Sequence, residues 1–203
     1  MSKPRLTVVI GSTRPQRVGA AIASWFIEIA RKHPAFDVEL VDLAELNLPM
    51  LDEPEHPRLR RYRHGHTKRW SRIIAASDAV VFVVPEYNHS FNAATKNAID
   101  YLHEEWRDKA VGFVSYGGVS AGTRATQALR PVLLAVKAIP VFESVSIPSV
   151  DRFVSDGTFE APGGLDAAAA VMLDEIYRRE RVLSGLRTGD PQMADTAAGK
   201  TMR

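Results

Sequence analysis

The hydrophobic positions of the chain fall into two alternating kinds of segment: short continuous apolar runs, and longer stretches with helical spacing. The continuous runs are rich in β-branched residues, which indicates strands buried on both faces, as in parallel sheets. The predicted strands are Leu6–Ile10, Phe36–Leu43, Ala79–Val84, Ala110–Tyr116 and Val141–Ile147. The predicted helices are Val18–Lys32, Leu59–Ser77, Ala93–Trp106, Ala121–Lys137 and Leu165–Leu183.

Strict alternation of strands and helices predicts an α/β fold in which helices cover both faces of a parallel sheet. Two positions carry local expectations. Asn92 is a candidate N-cap for the helix at Ala93, and Pro131 should kink or shorten the helix that contains it. After Leu183 the residues are small, polar and poorly periodic. We therefore expect a single domain over residues 1–186 and a mobile tail over residues 187–203.

Composition narrows the function classes. A chain of 203 residues with 45% hydrophobic positions is long enough for one domain with a sizeable core. It has no cysteine, which excludes disulfides, thiolate nucleophiles and cysteine metal sites. The first apolar run is too short for a signal peptide or a membrane span, so we expect a cytoplasmic protein without membrane association. A net charge of +2 gives no indication of nucleic-acid binding.

The loop Gly11–Gly19 connects the first strand to the first helix, a position where open α/β sheets bind ligands. A helix N-terminus presents unpaired N–H groups to anions, Ser12 and Thr13 add hydroxyls, and Arg14 and Arg17 add guanidinium groups. The loop lacks both the Gly-x-Gly-x-x-Gly pattern and the lysine motif of triphosphatases. It therefore predicts a phosphate site that serves neither a tightly held dinucleotide nor a triphosphate.

A second loop, Pro85–Phe91, follows the most apolar strand. The ring of Tyr87 offers an aromatic surface, and Asn88 offers polar contacts, so this loop suits a flat conjugated heterocycle. His89 has two interpretations. It is a general acid or base, or it is a surface or capping residue, which is the commoner role of a lone histidine in a loop.

A third loop contains Gly117 and Gly118, which permit close approach of a ligand to the backbone. The segment Gly118–Gly122 also matches Gly-x-Ser-x-Gly, the motif that places a hydrolase nucleophile, here Ser120, on a sharp turn. In that fold the catalytic histidine follows the serine along the chain. The last histidine here is His103, which disfavours a serine hydrolase.

Four motifs at these strand ends occur in a recognisable order. They are Gly11-Ser12-x-Arg14, Pro85–Ser90, Lys96–Tyr101 and Ser115–Gly118, and they span about residues 5–150. Together they resemble the NADPH-dependent FMN reductase family, flavodoxin-like proteins that include azoreductases, quinone reductases and chromate reductases. The resemblance implies a doubly wound, five-stranded parallel sheet of order 2-1-3-4-5. It also implies a homodimer or homotetramer with each flavin near the subunit interface.

The resemblance further implies FMN as the cofactor and NADPH or NADH as the co-substrate, in a ping-pong reaction with a small acceptor. The acceptor classes are flavins, quinones, azo compounds and metal oxyanions. The residues implied around the FMN phosphate are Ser12, Arg14, Arg17, Val18 and Gly19. Those implied beside the flavin ring are Pro85, Glu86, Tyr87 and Asn88, and those approaching its pyrimidine side are Ser115, Gly117 and Gly118. Because the flavin carries the hydride chemistry, we nominate neither a catalytic side chain nor a metal site.

The chain departs from the family pattern at three positions. Arg17 stands where a small hydroxyl residue is common, and Asn92 and Thr95 stand where proline and leucine are common. An alternative in a different class is an electron carrier like flavodoxin, although such carriers usually present an acidic face and this chain is mildly basic.

Several other groups of residues have two interpretations each. The basic segment Arg58–Arg72 is either a solvated helix face, which we favour, or a site for the 2′-phosphate of NADPH. His64 and His66 are better explained as two solvent-facing side chains than as a metal pair. Phe91, Tyr101 and Trp106 belong either to the core or to a subunit contact.

Overall fold

A computed structural model describes residues 3–188 of the chain. Its helices are α1 (Gly19–Lys32), α2 (Leu43–Leu46), α3 (Gly65–Ala76), α4 (Ala93–Asp100), α5 (Thr123–Ala135) and α6 (Leu165–Thr188). Its strands are β1 (Arg5–Ile10), β2 (Asp37–Asp42), β3 (Ala79–Pro85), β4 (Ala110–Tyr116), β5 (Ile139–Pro140), β6 (Val145–Ile147), β7 (Val154–Ser155) and β8 (Thr158–Phe159). Short 3₁₀ turns lie at Pro57–Leu59, Glu104–Trp106 and Val150–Phe153.

The central sheet is parallel, with the strand order β2-β1-β3-β4-β5, and β6 also pairs with β4. Every residue of β3 and of β4 is buried, as expected for strands covered on both faces. This arrangement confirms the predicted fold class and strand order. Strands β7 and β8 form a separate antiparallel hairpin that the sequence pattern did not predict.

Helices pack on both faces of the sheet, each over its own hydrophobic core. On one face, α1 contributes Phe26 and α6 contributes Met172. On the other face, α3 contributes Trp70, α4 contributes Ile99 and α5 contributes Leu129. Within residues 3–188, no helix is long and apolar enough to cross a bilayer.

The aromatic residues near the end of α4 belong to the second of these cores. Tyr101 and Trp106 are fully buried, and Phe91 is partly buried against the same cluster. Of the two interpretations of these side chains, the core one is therefore correct for Tyr101 and Trp106.

Of the predicted last strand, Val141–Ile147, only Val145–Ile147 is a strand in the structure, namely β6. The short strand β5 lies before the predicted range, and residues 141–144 between β5 and β6 are not in a strand. The side chain of Arg130 donates hydrogen bonds to the carbonyls of Val141, at 2.8 Å, and Phe142, at 3.3 Å. Because a side chain occupies these carbonyls, the backbone there is satisfied without a continuous strand.

Two predicted helices are shorter than expected because distant residues satisfy their ends. The helix predicted over Leu59–Ser77 begins at Gly65, where Glu53 accepts hydrogen bonds from the N–H groups of Arg63 and His64 at 2.8 and 3.0 Å. The helix predicted over Ala93–Trp106 ends at Asp100. There the indole groups of Trp70 and Trp106 donate to the carbonyls of Ala98 and Ile99 at 2.7 and 3.1 Å.

Two further helices differ from prediction at their boundaries. Helix α5 does not end at Pro131 but continues to Ala135. Helix α6 extends beyond the predicted end at Leu183 and reaches Thr188. Residues 187 and 188 of the predicted mobile tail are thus helical, and the remainder of that tail, 189–203, lies outside the described residues.

The end of α6 is fastened to the amino-terminal edge of the sheet by Arg187. Its guanidinium group donates to the carboxylate of Glu180 at 2.6 and 2.9 Å, to Asp78 at 3.2 Å and to the carbonyl of Asp108 at 2.8 Å. The Glu180 side chain is only 4% exposed, so its charge depends on this partner. The ion pair therefore explains why the helix continues into a polar segment.

Replacing Arg187 with methionine should lower the free energy of unfolding by about 3 kcal/mol, because it leaves a buried carboxylate unpaired. Urea denaturation followed by circular dichroism measures this change. The matched control is Arg181→Met, at an exposed position of the same helix, which should change the free energy by less than about 0.5 kcal/mol. Equal effects of the two substitutions would contradict this role of Arg187.

Candidate functional site

The three loops singled out in the sequence meet at the carboxyl edge of the sheet. Backbone hydrogen bonds join their starts to neighbouring strands: Gly11 N–H donates to Val83 at 2.9 Å, and Glu86 N–H donates to Tyr116 at 2.9 Å. A cavity of about 220 Å³ lies between the loops. Its lining residues are Arg14, Arg17, Val18, Pro85, Glu86, Tyr87, Tyr116, Gly117, Val150 and Asp151.

Seven of the residues implied by the resemblance therefore line one cavity, and five do not. The five are Ser12, Gly19, Asn88, Ser115 and Gly118. Three lining residues were missed by sequence reasoning, namely Tyr116, Val150 and Asp151. Tyr116 was detectable as the last residue of a strand before two glycines, whereas Val150 and Asp151 lie in a 3₁₀ turn that has no periodic signal.

The first turn of α1 offers backbone donors that no side chain caps. Val18 precedes the helix without a side-chain capping bond, and the first turn contains no acidic residue. The first N–H groups of a helix have no partner within the helix. They carry partial positive charge, so this end of α1 favours an anion.

Buried donors without partners surround this helix end. Within residues 3–188, five buried side-chain polar atoms lack a hydrogen-bond partner: Ser12 Oγ, Arg17 Nε, Thr67 Oγ1, the Tyr116 hydroxyl and Glu143 Oε2. Three of the five belong to residues at the first loop or at the adjoining end of β4. Native proteins leave few such atoms unpaired, and a ligand is one of the usual reasons. Unpaired hydroxyl and guanidinium donors at a helix N-terminus fit the phosphate of FMN.

The absence of a side chain at Gly19 lets the hydroxyls of Ser12 and Tyr116 lie close to the backbone of helix α1. A Cβ atom at this position would lie within 3.0 Å of both Ser12 Oγ and the Tyr116 hydroxyl. Ser12 and Tyr116 are 0% and 4% exposed. Burial raises the pKa of Tyr116, so its hydroxyl keeps its proton and remains a donor at neutral pH.

The two arginines of the first loop differ in their surroundings. Arg14 is exposed, whereas the guanidinium group of Arg17 forms an ion pair with Asp42 at the end of β2. The side chains of Arg17 and Asp42 are 20% and 10% exposed. Arg17 is therefore already partnered within the protein, and only its Nε is a buried donor without a partner.

The second loop is a tight two-residue hairpin. Tyr87 and Ser90 exchange backbone hydrogen bonds of 2.8 and 3.0 Å, and Asn88 and His89 between them have φ angles of 49° and 66°. Positive φ at both central residues is the geometry that matches the twist of paired strands. The turn leaves Asn88 exposed at its tip, away from the cavity lining, and leaves the Tyr87 ring at the cavity, 38% exposed.

Glu86 joins the second loop to the third. Its carboxylate accepts a hydrogen bond of 2.7 Å from the Ser120 hydroxyl and bonds of 2.7 and 3.2 Å from Nε and N–H of Arg124. Burial alone would raise the pKa of Glu86, but these hydrogen bonds and the charge of Arg124 hold it below its usual value. The carboxylate oxygens are thus hydrogen-bonded to the residues of the next loop and helix. What Glu86 contributes to the cavity wall is therefore its backbone and the methylene groups of its side chain.

The hydrogen bonds of Glu86 and Arg124 bear on two candidate catalytic residues, Ser120 and His89. The Ser120 proton goes to Glu86, and no histidine within residues 3–188 hydrogen-bonds this serine, so Ser120 lacks the base that a hydrolase nucleophile requires. His89 accepts a hydrogen bond of 2.8 Å from Arg124 through Nε2. That nitrogen supports the loop and is not directed at the cavity as an acid or base.

Ser115 and Gly118 have different surroundings at the two sides of the third loop. The Ser115 hydroxyl is fully buried and donates to the carbonyl of Ala121 at 2.9 Å. It therefore holds the turn that follows β4 and does not face the cavity. Gly118 has no neighbouring atom within 4 Å of where a Cβ would lie, which leaves open space above this part of the loop.

Asn92 and Thr95, two of the departures from the family pattern, form one interaction. Asn92 is the N-cap residue of α4, as predicted, but its side chain makes no capping hydrogen bond. Instead, Asn92 donates to the carbonyl of Gly11 at 2.6 Å and accepts from the Thr95 hydroxyl at 2.8 Å. These bonds tie the first loop, Gly11–Gly19, to α4.

The basic segment Arg58–Arg72 lies apart from the cavity lining. Part of it serves contacts within the protein: Arg60 lies 3.5 Å from Glu105, Arg61 lies 3.5 Å from Glu55, and Arg69 donates to the carbonyl of Leu46 at 3.1 Å. Arg60 and Arg61 precede α3, so the helix-face interpretation applies only to the part of the segment from Gly65 onward.

The two histidines near the start of α3 are only partly exposed. The rings of His64 and His66 stack with centroids 5.2 Å apart, and His66 hydrogen-bonds Asp52 at 3.0 Å. They are therefore not simply solvent-facing, because they pack on each other and against the loop before α3.

Relatives with known names share the pattern of this chain. The model of the NADPH-dependent FMN reductase family matches residues 4–151. An NAD(P)H-dependent FMN reductase of Schizosaccharomyces pombe is 39% identical over 149 residues, which cover 71% of this chain and 74% of that protein. A quinone reductase of Pseudomonas putida is 33% identical over 136 residues, which cover 64% of this chain and 69% of that protein.

A solved structure supports the same relationship at the level of the fold. The flavoenzyme NAD(P)H:(acceptor) oxidoreductase of Paracoccus denitrificans matches 87% of this chain and 98% of its own, with a TM-score of 0.69 and 22% identity. The strand order is that of flavodoxin-like proteins. Because the family model spans well over half of the sequence and the yeast relative exceeds 30% identity, this chain belongs to the NADPH-dependent FMN reductase family.

Proposed function

We propose that this protein binds FMN in the cavity between its three loops and uses it to transfer hydride from NAD(P)H to a small acceptor by a ping-pong mechanism. The oxidoreductase class, the FMN cofactor and the NAD(P)H co-substrate follow from family membership. The observation that carries the site assignment is the set of unpaired buried donors at the N-terminus of α1, beside a cavity that Tyr87 also lines.

The chain would hold the FMN phosphate with donors that have no other partner. The hydroxyls of Ser12 and Tyr116 and the first N–H groups of α1 converge around Gly19. A hydrogen bond to a charged acceptor contributes about 1.5–3 kcal/mol, and these donors need no further desolvation because they are already buried. Arg14 at the loop surface adds charge that attracts the phosphate.

The flavin ring would lie along the opposite end of the cavity, against Pro85, Tyr87 and Gly117. When bound, FMN supplies the hydride transfer between the two substrates. The protein holds the ring in place, because Glu86 and Arg124 lock the second and third loops together. At about 220 Å³, the cavity is smaller than the roughly 300–1,000 Å³ typical of small-molecule pockets, so one face of the ring would stay accessible.

A single accessible face supports the ping-pong order, because NAD(P)H and the acceptor would then occupy the same place in turn. The lining of the cavity combines apolar side chains such as Val18 and Tyr87, which is 38% exposed, with the charged Arg14. Flavins, quinones and azo compounds suit such a lining, and metal oxyanions are the remaining class. A quinone is the first acceptor to test, since the Pseudomonas putida relative is named a quinone reductase.

We propose a homodimer or homotetramer, in which a neighbouring subunit approaches the site. A second cavity of about 320 Å³ borders Thr13 of the phosphate loop and includes Met50, whose side chain is 75% exposed. The next residue, Leu51, is also exposed, and grouped exposed apolar side chains are typical of protein contacts. Sedimentation equilibrium tests this part of the proposal, and a monomer at micromolar concentration would contradict it.

Rapid mixing of the FMN-loaded protein with NADPH in the absence of oxygen tests the proposed reaction. The visible absorbance of oxidised flavin should disappear without an added protein partner, and a quinone added afterwards should restore it. This sequence is expected because each half-reaction runs without the other substrate. Flavin that stays oxidised after mixing would favour the electron-carrier alternative.

Replacing Gly19 with alanine should weaken FMN binding at least about 10-fold, because the added methyl group displaces the Ser12 and Tyr116 hydroxyls from the phosphate site. Isothermal titration calorimetry measures this affinity. The matched control is Gly65→Ala at the start of α3, where a Cβ meets no atom within 4 Å. The assignment is wrong if both variants bind FMN as tightly as the parent protein.

Replacing Glu86 with glutamine should lower the free energy of unfolding by about 1–2 kcal/mol at neutral pH, because the ion pair with Arg124 is lost. The pKa of Glu86 is lower in the folded protein than in the unfolded chain, so its contribution is present above about pH 4.3 and is lost as the pH falls through the folded value. The parent and variant should therefore converge in acid.

Urea denaturation at about pH 7, 5 and 3.5 measures this convergence, within the range set by the usual glutamate pKa. The control is Glu55→Gln, since Glu55 is 32% exposed and lies 3.5 Å from the exposed Arg61, and it should have almost no effect. A difference that stays constant over these pH values would show that the Glu86 charge does not join the loops.

A further inference from the structure

Asp42 ends β2 beside the phosphate loop, and both of its carboxylate oxygens are occupied. Oδ1 accepts a hydrogen bond of 2.9 Å from the N–H group of Ala44, so Asp42 caps helix α2. Oδ2 accepts a hydrogen bond from Nη2 of Arg17. The carboxylate is 10% exposed and the arginine side chain 20%, which makes this a largely buried pair with little competing water.

Arg17 belongs to the cavity as well as to this ion pair. It lines the cavity beside Arg14 and Val18, and its Nε is a buried donor without a partner. One part of the guanidinium group is thus taken by the protein, while another part is left for a ligand. Asp42 is consequently a negative charge held next to the place proposed for a phosphate.

We propose that Asp42 is an internal counter-ion that competes with the FMN phosphate for Arg17 and so lowers the affinity for FMN. This inference rests on the proposed function of the cavity. A phosphate that approaches Arg17 shares its charge with the Asp42 carboxylate and is repelled by that carboxylate. Without Asp42, Arg17 is a poorly hydrated cation that gains its partner only when the phosphate arrives.

Arg17 is also one of the departures from the family pattern. Arg17 replaces the small hydroxyl residue expected from the family resemblance, and a full positive charge added to a phosphate site would tighten binding strongly. The charges of Arg17 and Asp42 cancel. Arg17 therefore contributes a hydrogen-bond donor to the phosphate site but little net electrostatic attraction for the phosphate. The consequence is a cofactor held through hydrogen bonds and able to exchange with free FMN.

The Asp42→Asn variant separates this role from a purely structural one. Asparagine is a good N-cap residue, so the variant keeps the α2 cap while it removes the charge. It should lower the melting temperature of the FMN-free protein and tighten FMN binding about 5-fold at low salt, with a steeper loss of affinity as salt rises. Riboflavin, which lacks the phosphate, should bind as it does to the parent protein.

Two further variants assign the effect to the pair. In an Arg17→Gln background, Asp42→Asn should no longer change FMN affinity, because the competing partner is gone. Asp37→Asn removes the same charge from the exposed far end of β2 and should leave FMN affinity unchanged. Isothermal titration calorimetry and thermal melts measure all of these effects on the purified protein.

The outcomes distinguish this inference from the proposed function. If the parent protein binds FMN and Asp42→Asn binds it equally tightly or more weakly, the counter-ion role is wrong and the function stands. If the parent protein does not bind FMN at all, the proposed function fails and this inference falls with it. Tightening that also appears with riboflavin would overturn the role of the phosphate.

Discussion

The approach of helix α1 to the ends of β1 and β4 is the constraint on which the site depends. At Gly19 the helix backbone lies so close to the Ser12 and Tyr116 hydroxyls that a side chain has no room. This closeness buries two hydroxyl donors beside uncapped N–H groups and leaves them without partners in the protein. An anion bound there would accept hydrogen bonds from donors that folding has already removed from water. The site therefore suits a phosphate.

The rest of the molecule holds this constraint in place. The fully buried strands β3 and β4 fix where the second and third loops begin. Side-chain contacts then join the loops to one another: Glu86 connects the second loop to Arg124, and Asn92 connects α4 to the carbonyl of Gly11. The position of the cavity between the three loops thus follows from the buried strands and a few polar bonds.

Sequence patterns predicted the elements that burial alone determines. Strand β4 has the predicted bounds because all its residues face a core, whereas α3 and α4 were predicted too long because their ends are set by Glu53, Trp70 and Trp106. Periodicity carries no information about such distant partners. The same reason applies in the site, where most of the residues implied by the motifs line the cavity, but the ion pair of Arg17 with Asp42 was not foreseen.

Comparison of FMN with riboflavin as ligands of the purified protein tests the central claim most directly, because the two differ only in the phosphate. Titration calorimetry on the cofactor-free protein gives both dissociation constants. FMN is expected to bind about 100-fold or more tightly than riboflavin, since at least two buried donors would bond only to the phosphate. Equal affinities for the two flavins would contradict the assignment of a phosphate to the N-terminus of α1.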